Sequence, residues 1–309
     1  MKYVTILIPC YNEEASLPLL YDKLAELGND ARYTWEFLFI NDGSKDGSLA
    51  VLKDLAENDT RVKFISLSRN FGKENAMLAG FDFATGDCMI IMDADLQHPP
   101  MLIPEMLRLW EEGYEDVYAR RKDRETDSWM RRKLSEHYYR LLQKVSNVDI
   151  LQNVGDFRLL DRKCINALKQ LRETERYTKG MYCWIGFNKT ELEYEVAERI
   201  AGKSSFSYRK LVKLAVNGFT SYTTAPLRIS AYVGLAVSLL SFVLMLIFLI
   251  KALIYGDPVQ GFPTLITVIL FLGGVQLLSL GIIGEYLGKV FNETKHRPAY
   301  IISESNIQA

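Results

Sequence analysis

The chain has 309 residues, with 37 Lys and Arg against 38 Asp and Glu, a formal net charge of −1 at pH 7. A balance this close excludes the broad basic excess of a nucleic-acid-binding protein and gives no sign of a polyanionic partner. The charge is unevenly spread: none falls between Ile229 and Ile250, and none between Pro258 and Gly284.

The stretch "YVTILIPCYNEE" is too short in its apolar part for a signal-peptide core and runs straight into acidic residues, so it reads as a first strand. Further strands fit "WEFLFIND", "VKFISLS", "CMIIMDAD" and "EDVYAR", and helix-period segments fit Glu14 to Leu27, Gly47 to Glu57, Glu74 to Thr85 and Met101 to Glu112. This alternation predicts βαβ units and a mostly parallel, doubly wound α/β sheet. Neither GxGxxG nor GxxxxGK[ST] is present, so the common dinucleotide and NTP fingerprints are missing. A long amphipathic helix, Trp129 to Val145, precedes "VGDFRLLDR", and mixed strand and helix follow to about Thr190. Cys10, Cys88, Cys164 and Cys183 are scattered without zinc or redox spacing and read as reduced, structural thiols.

Polar chemistry collects where strands end. Ile90, Ile91 and Met92 have the continuity of a strand buried on both faces, and Pro99 and Pro100 follow it. Asp93 and Asp95 therefore lie at a strand's carboxyl end, where open α/β sheets bind ligands. Two carboxylates on one side of an extended chain repel unless a cation stands near. Mg²⁺ or Mn²⁺ commonly joins such carboxylates to substrate phosphates, whereas the plainer reading is a pair of helix-capping aspartates. Glu13, Asp42, Arg69 and Lys73 close neighbouring strands: the acids suit a nucleoside, and the cations suit phosphate or a strand-crossing ion pair. Together they outline a nucleotide cleft.

Each uncharged run is long enough, at about 1.5 Å per residue, to cross a hydrocarbon core of roughly 30 Å. We expect membrane helices at 229–251 and 260–284. Arg209, Lys210, Lys213 and Arg228 precede the first and Lys289, Lys295 and Arg297 follow the second, against Lys251 alone between them. That asymmetry puts both termini in the cytoplasm. The segment 206–228 alternates basic and apolar residues and could lie along the membrane surface or pack as a soluble helix. Between Arg120 and Arg140 there are eight Lys or Arg and four Asp or Glu. This basic region suits either a solvated helix face or a lipid phosphate at the bilayer surface.

The motifs "IPCYNEE", "NDGSKDGS", "LSRNFGKENA", "DADLQHPP", "GDFRLLDR" and "LFLGGVQLLSLGIIGEYLGKV" resemble those of the polyprenyl-phosphate glycosyltransferases of the inverting GT-A class, related to dolichol-phosphate mannose synthase and most like bacterial bactoprenol glucosyltransferases. The resemblance runs over nearly the whole chain. It implies a cytoplasmic GT-A domain over 1–205, a juxtamembrane segment over 206–228, two transmembrane helices and a cytoplasmic tail over 285–309 in a bacterial plasma membrane. It further implies Mg²⁺ or Mn²⁺ held by Asp93, Asp95 and Gln97. The nucleotide sugar would meet Pro9, Tyr11, Glu13, Asp42, Arg69, Lys73, Asp93, Arg199 and Lys203. Residues matching the acceptor-phosphate site are Arg121, Arg131 and Ser135, with Arg132 beside them. Asp156, Asp95 and Arg158 would be catalytic. The implied partners are a nucleotide sugar, undecaprenyl phosphate, the bilayer, a homo-oligomeric copy, and a downstream flippase and second glycosyltransferase; nucleic acid is not among them.

Two positions depart from the family's pattern. His98 stands where many relatives carry a third acid, and it reads either as approaching the metal or, as is commoner beside a proline, as lining the loop. Ser205 stands where relatives usually have Lys, leaving Lys203 and Arg199 as candidate cations toward the donor phosphates. The implied reaction is transfer of one sugar to undecaprenyl phosphate, with UDP-glucose the leading donor and UDP-GlcNAc or GDP-mannose as alternatives. A processive polysaccharide synthase needs more helices and a QxxRW motif, which is absent. A silent membrane adaptor has no physical reason to keep a self-repelling acidic cluster.

Overall fold

The computed structural model describes residues 1–121, 154–174, 176–194, 225–255 and 261–307. It divides into two compact units, one comprising residues 1–208 with 297–309 and the other residues 209–296.

The first unit is built on an eight-stranded sheet. Its strands are β1 (Lys2–Cys10), β2 (Tyr33–Asn41), β3 (Val62–Leu67), β4 (Cys88–Ile91), β5 (Asp116–Arg121), β6 (Val154–Asp161), β7 (Lys189–Tyr194) and β8 (Ile302–Ser305), in the order β7-β5-β6-β4-β1-β2-β3-β8. The pairs β4–β1, β1–β2, β2–β3 and β5–β7 are parallel, whereas β6 and β8 run against their neighbours. The predicted mostly parallel α/β sheet is therefore present, with two antiparallel insertions.

Strands β1, β2 and β4 read as continuous apolar runs because both their faces are covered. On one face Ile6, Ile8, Phe37, Phe39 and Ile90 pack against α1 (Leu17–Leu27), α2 (Ser48–Asn58) and α4 (Ile103–Glu111). On the other, Leu7, Leu38, Ile40, Met89 and Ile91 pack against α3 (Lys73–Phe83), α5 (Arg162–Gln170) and α6 (Thr178–Trp184). The helices start and stop within a few residues of the predicted bounds. The first helix starts three residues later than expected, at Leu17, and a 3-10 turn at Pro100–Leu102 replaces the start of the helix expected from Met101. The amphipathic helix expected over Trp129 to Val145 lies outside the described residues.

The last strand was not anticipated. Residues 285–309 were expected to be a plain tail, but α8 (Phe262–Thr294) runs ten residues past the predicted end of the span, and the chain then returns to pair β8 with β3. The amide of Phe64 donates to Asn306 Oδ1 at 2.7 Å, and Asn306 Nδ2 donates to the Val62 carbonyl at 3.0 Å. Tyr300 donates to Asp82 at 2.7 Å, and Asp82 also takes two Arg172 nitrogens at 2.7 Å. These bonds cover an edge that would otherwise present unpaired backbone groups.

In the second unit, α7 (Ala225–Tyr255) and α8 line a shared groove through Gly234 and Val237 of one helix and Leu272, Val275 and Ser279 of the other. Among the described residues, one helix is long and apolar enough to cross a membrane, Phe271–Thr294, with a mean hydropathy of 1.3. In α7 the corresponding apolar stretch is shorter, Ile229–Leu244.

Arg158 shows how the core constrains the sheet. Its guanidinium is 1 % exposed, 2.9 Å from Asp116, and stacks 3.7 Å over the Tyr182 ring. A buried charge stripped of its partner costs about 3–5 kcal/mol. Asp116→Asn should therefore lower unfolding free energy by roughly that amount in denaturant titration, and Arg158→Met with Asp116→Leu should lose less than the single variant.

Candidate active site

The parallel strands β1, β2 and β4 all end toward one rim, and their last residues lead into polar loops. After β2, the buried Asp42 accepts the amides of Phe71 at 2.7 Å and Gly72 at 2.9 Å. Burial raises its pKa even though these two amides and Arg69 favour the charged form. The turn depends on Gly43, at φ 64°, where an added Cβ would stand 2.3 Å from the Arg69 backbone. By holding residues 71 and 72, Asp42 sets the start of α3 and thus the position of Lys73. The Arg69 guanidinium is turned onto the Phe71 ring at 4.1 Å.

Lys73 is the centre of the rim. Its ammonium lies 2.5 Å from Asp93 and 2.7 Å from Asp156, bridging the loop after β4 to the start of β6. The β4–β6 ladder pairs Ile91 with Arg158, and continuing that antiparallel register by two residues sets Asp93 opposite Asp156. Facing like charges destabilise a sheet, and the ammonium between them cancels that repulsion. Burial by itself lowers the Lys73 pKa, but Asp156 and Asp93 outweigh it and hold the group well above the usual lysine range. Burial likewise raises Asp156, yet Lys73 outweighs it and keeps this carboxyl below its ordinary value.

Glu74 lies beside this pair and accepts the amide of Thr178 at 3.0 Å and its hydroxyl. Burial first and the Asp156 charge second push its pKa up to about 7. Neither Glu74 nor Thr178 was singled out from the sequence. The available signal was an acid in the first turn of a helix, next to the lysine of "FGKE".

The acidic loop itself is tightly held. Leu96 sits at φ 61°, the Gln97 amide donates to Asp95 Oδ1 at 3.2 Å, and His98 Nδ1 accepts the Asp93 amide at 3.0 Å. His98 is 7 % exposed and stacks on Phe157 with centroids 4.8 Å apart, nearly parallel. The ring thus lines the loop through Nδ1 and Phe157. Burial lowers its pKa, which matches a neutral ring whose Nδ1 must stay an acceptor.

Residue by residue, the rim brings together Asp42, Lys73, Asp93 and Asp156. Glu13 closes a local turn, accepting from Ser16 at 2.5 Å. Pro9 is buried within β1, and Tyr11 is 41 % exposed beyond it. Arg158 faces Asp116 in the core. Arg121 ends β5, while Arg131, Arg132, Ser135, Arg199, Lys203 and Ser205 lie outside the described residues.

Three comparisons with known proteins bear on this arrangement. The model of glycosyl transferase family 2 matches residues 5–168, and that of the GtrB C-terminal hairpin matches residues 225–290. The chain belongs to glycosyl transferase family 2. Among family 2 relatives, CsbB of Bacillus subtilis (strain 168) is 47 % identical over 98 % of this chain and 92 % of its own length. The bactoprenol glucosyl transferase of Shigella phage SfV is 44 % identical over 97 % of both chains. Among solved structures, glucosyl-3-phosphoglycerate synthase from Mycobacterium tuberculosis shares 16 % identity over 70 % of this chain and 75 % of that one, with a TM-score of 0.48.

Membership in family 2 gives the sheet its GT-A identity. The acidic loop has the chemistry a hard divalent cation takes, since Asp93 and Asp95 carry carboxylate oxygens, and the nearby Asp156 Oδ1 is buried without a hydrogen-bond partner among the described residues. Among those residues no three His, Cys, Asp or Glu side chains converge as metal ligands.

The depressed His98 pKa has a definite sign. Below about pH 6.5 the unfolded chain binds a proton that the buried ring refuses, so stability falls on acidification through that range. His98→Phe, which keeps the stack on Phe157, should lose about 1–3 kcal/mol for the orphaned Asp93 amide. Thermal melts between pH 7.5 and 5.5 should also show a shallower acid-side decline for this variant than for the wild type.

Proposed function

We propose that the protein moves a single sugar, with inversion, from UDP-glucose to undecaprenyl phosphate at the cytoplasmic face of a bacterial plasma membrane. The observation that carries this reading is the near full-length likeness to a bactoprenol glucosyl transferase, which takes in the catalytic region and the C-terminal hairpin together.

The acceptor's chemistry sets what the residues need to do. A phosphate monoester has a second pKa of about 6, so near neutral pH it is largely a dianion and needs no base to attack the anomeric carbon. Asp156, kept ionised by Lys73, is then suited to orienting the sugar and stabilising positive charge at the anomeric centre. Asp93, Asp95 and Gln97 would hold the divalent cation. When bound, Mg²⁺ or Mn²⁺ would neutralise charge on the departing diphosphate. Asp42 and Glu13 line the nucleoside side, and Arg121, Arg131, Arg132 and Ser135 are assigned to the acceptor phosphate, with Arg199 and Lys203 toward the donor. Arg158 supports Asp156 from beneath the site, as a member of the same strand paired to Asp116.

Chain connectivity supports a two-span hairpin. Residues on both sides of α7 and α8 belong to the same compact unit, since β8 pairs with β3. A chain that leaves and rejoins one unit crosses a bilayer an even number of times, so if α8 spans, α7 spans as well. With both flanks rich in Lys and Arg, the catalytic unit and the termini would face the cytoplasm.

Isolated membranes should transfer label from UDP-glucose, in preference to UDP-GlcNAc or GDP-mannose, into organic-extractable lipid. EDTA should abolish the transfer and Mn²⁺ or Mg²⁺ restore it; full activity of Asp95→Ala in excess EDTA would sink the metal reading. Arg131→Ala should reduce kcat/KM for a short polyprenyl phosphate about ten- to hundredfold, the loss of one charge-assisted hydrogen bond, with donor affinity nearly unchanged. A reporter after Ala309 should be cytoplasmic and a tag near Asp257 external; finding both on one side would refute the hairpin.

A further inference from the structure

Lys73 was expected either at donor phosphate or in an ion pair across strands, and the structure places its ammonium on two carboxylates that the antiparallel register sets face to face. Its position on the chain is unfavourable for a cation. Lys73 is the first residue of α3, where the aligned peptide dipoles present their positive end. The backbone that delivers it there is itself constrained: Gly72 has φ 93°, and Asp42 holds the Phe71 and Gly72 amides. The side chain remains 40 % exposed, so the ammonium closes the cleft side of the pair rather than filling a sealed core.

We propose that Lys73 is a positioning residue acting as a resident counter-ion: before the donor arrives it holds Asp93 and Asp156 in place, and a divalent cation must displace it from Asp93, leaving it on Asp156. This rests on the reading that a divalent cation binds at Asp93. The exchange has a chemical consequence. A metal ion alone gains little by replacing one cation with another at a single carboxylate. A metal ion bound to a nucleoside diphosphate brings the additional oxygens that hard cations require, and the released charge of Lys73 remains satisfied by Asp156. The residue therefore couples metal binding to nucleotide binding, so that the acidic motif resists loading by free metal.

The test uses the full chain in detergent, with Mn²⁺ titrated by electron paramagnetic resonance with and without UDP, and melting temperatures measured in EDTA and in Mn²⁺. Wild type should bind Mn²⁺ weakly alone and tightly with UDP. Lys73→Met should bind Mn²⁺ alone at least tenfold more tightly than wild type, melt lower in EDTA, and regain more stability from Mn²⁺ than wild type does. Lys73→Met with Asp93→Asn, which removes the unbalanced repulsion, should melt higher in EDTA than Lys73→Met, including the case in which the single variant does not fold. Unchanged affinity for Mn²⁺ alone together with lost UDP affinity would make Lys73 a donor-phosphate ligand and overturn the proposal. A double variant no more stable than the single one would overturn it equally. If wild type with UDP binds no Mn²⁺, the metal reading fails by itself, and the melting comparison in EDTA still decides whether Lys73 is the counter-ion of Asp93.

Discussion

The ammonium of Lys73, held between Asp93 and Asp156, is the interaction on which the site depends. The β4–β6 ladder is antiparallel, and its register aims two carboxylates at each other just beyond the last paired residues. Without a cation that arrangement would repel, and the loop after β4 would have reason to swing away from β6. With the ammonium in place, the parallel part of the sheet and its antiparallel insertion meet in one polar rim. Asp42 and Gly72 then matter because they deliver Lys73, and His98 matters because it fixes the backbone amide of Asp93.

The site divides its charges between those that reach the cleft and those that stabilise the sheet. Arg158 and Asp116 form a pair with side chains 2 % and 3 % exposed, next to Tyr182. Asp156 lies two residues away on the same strand, and its β neighbours are therefore tethered to the core by a strong, buried contact. The role proposed for Asp156, stabilising charge in a transition state, would gain from such rigidity, because little reorganisation would be left to occur during the reaction.

The far edge of the sheet has a different task. β8 covers β3, and Tyr300, Asp82 and Arg172 lock the returning chain in place. The helical unit of α7 and α8 is thus inserted between two segments of a single folded unit rather than appended to its end.

The sequence by itself determined the alternation of strands and helices, the doubly buried parallel strands, the acidic motif at a strand end and the two apolar runs. Each of these is a local pattern: a period, an uninterrupted apolar stretch, or a short motif next to a strand. The family resemblance was legible for the same reason, since its motifs are contiguous. Tertiary structure alone decided which partner each charge took. Lys73 was readable as a phosphate ligand or an ion-pair member, and only the folded chain brings it onto Asp156 and Asp93, 83 and 20 positions away. Arg158 was read as catalytic from the family resemblance, and only the folded sheet shows that its guanidinium pairs with Asp116 in the core. His98 was undecided because the direction of an imidazole depends on a ring, Phe157, from another strand. The strand β8 was invisible because "IISES" is a strand only when β3 offers an open edge, which is a property of the folded sheet and not of those five residues.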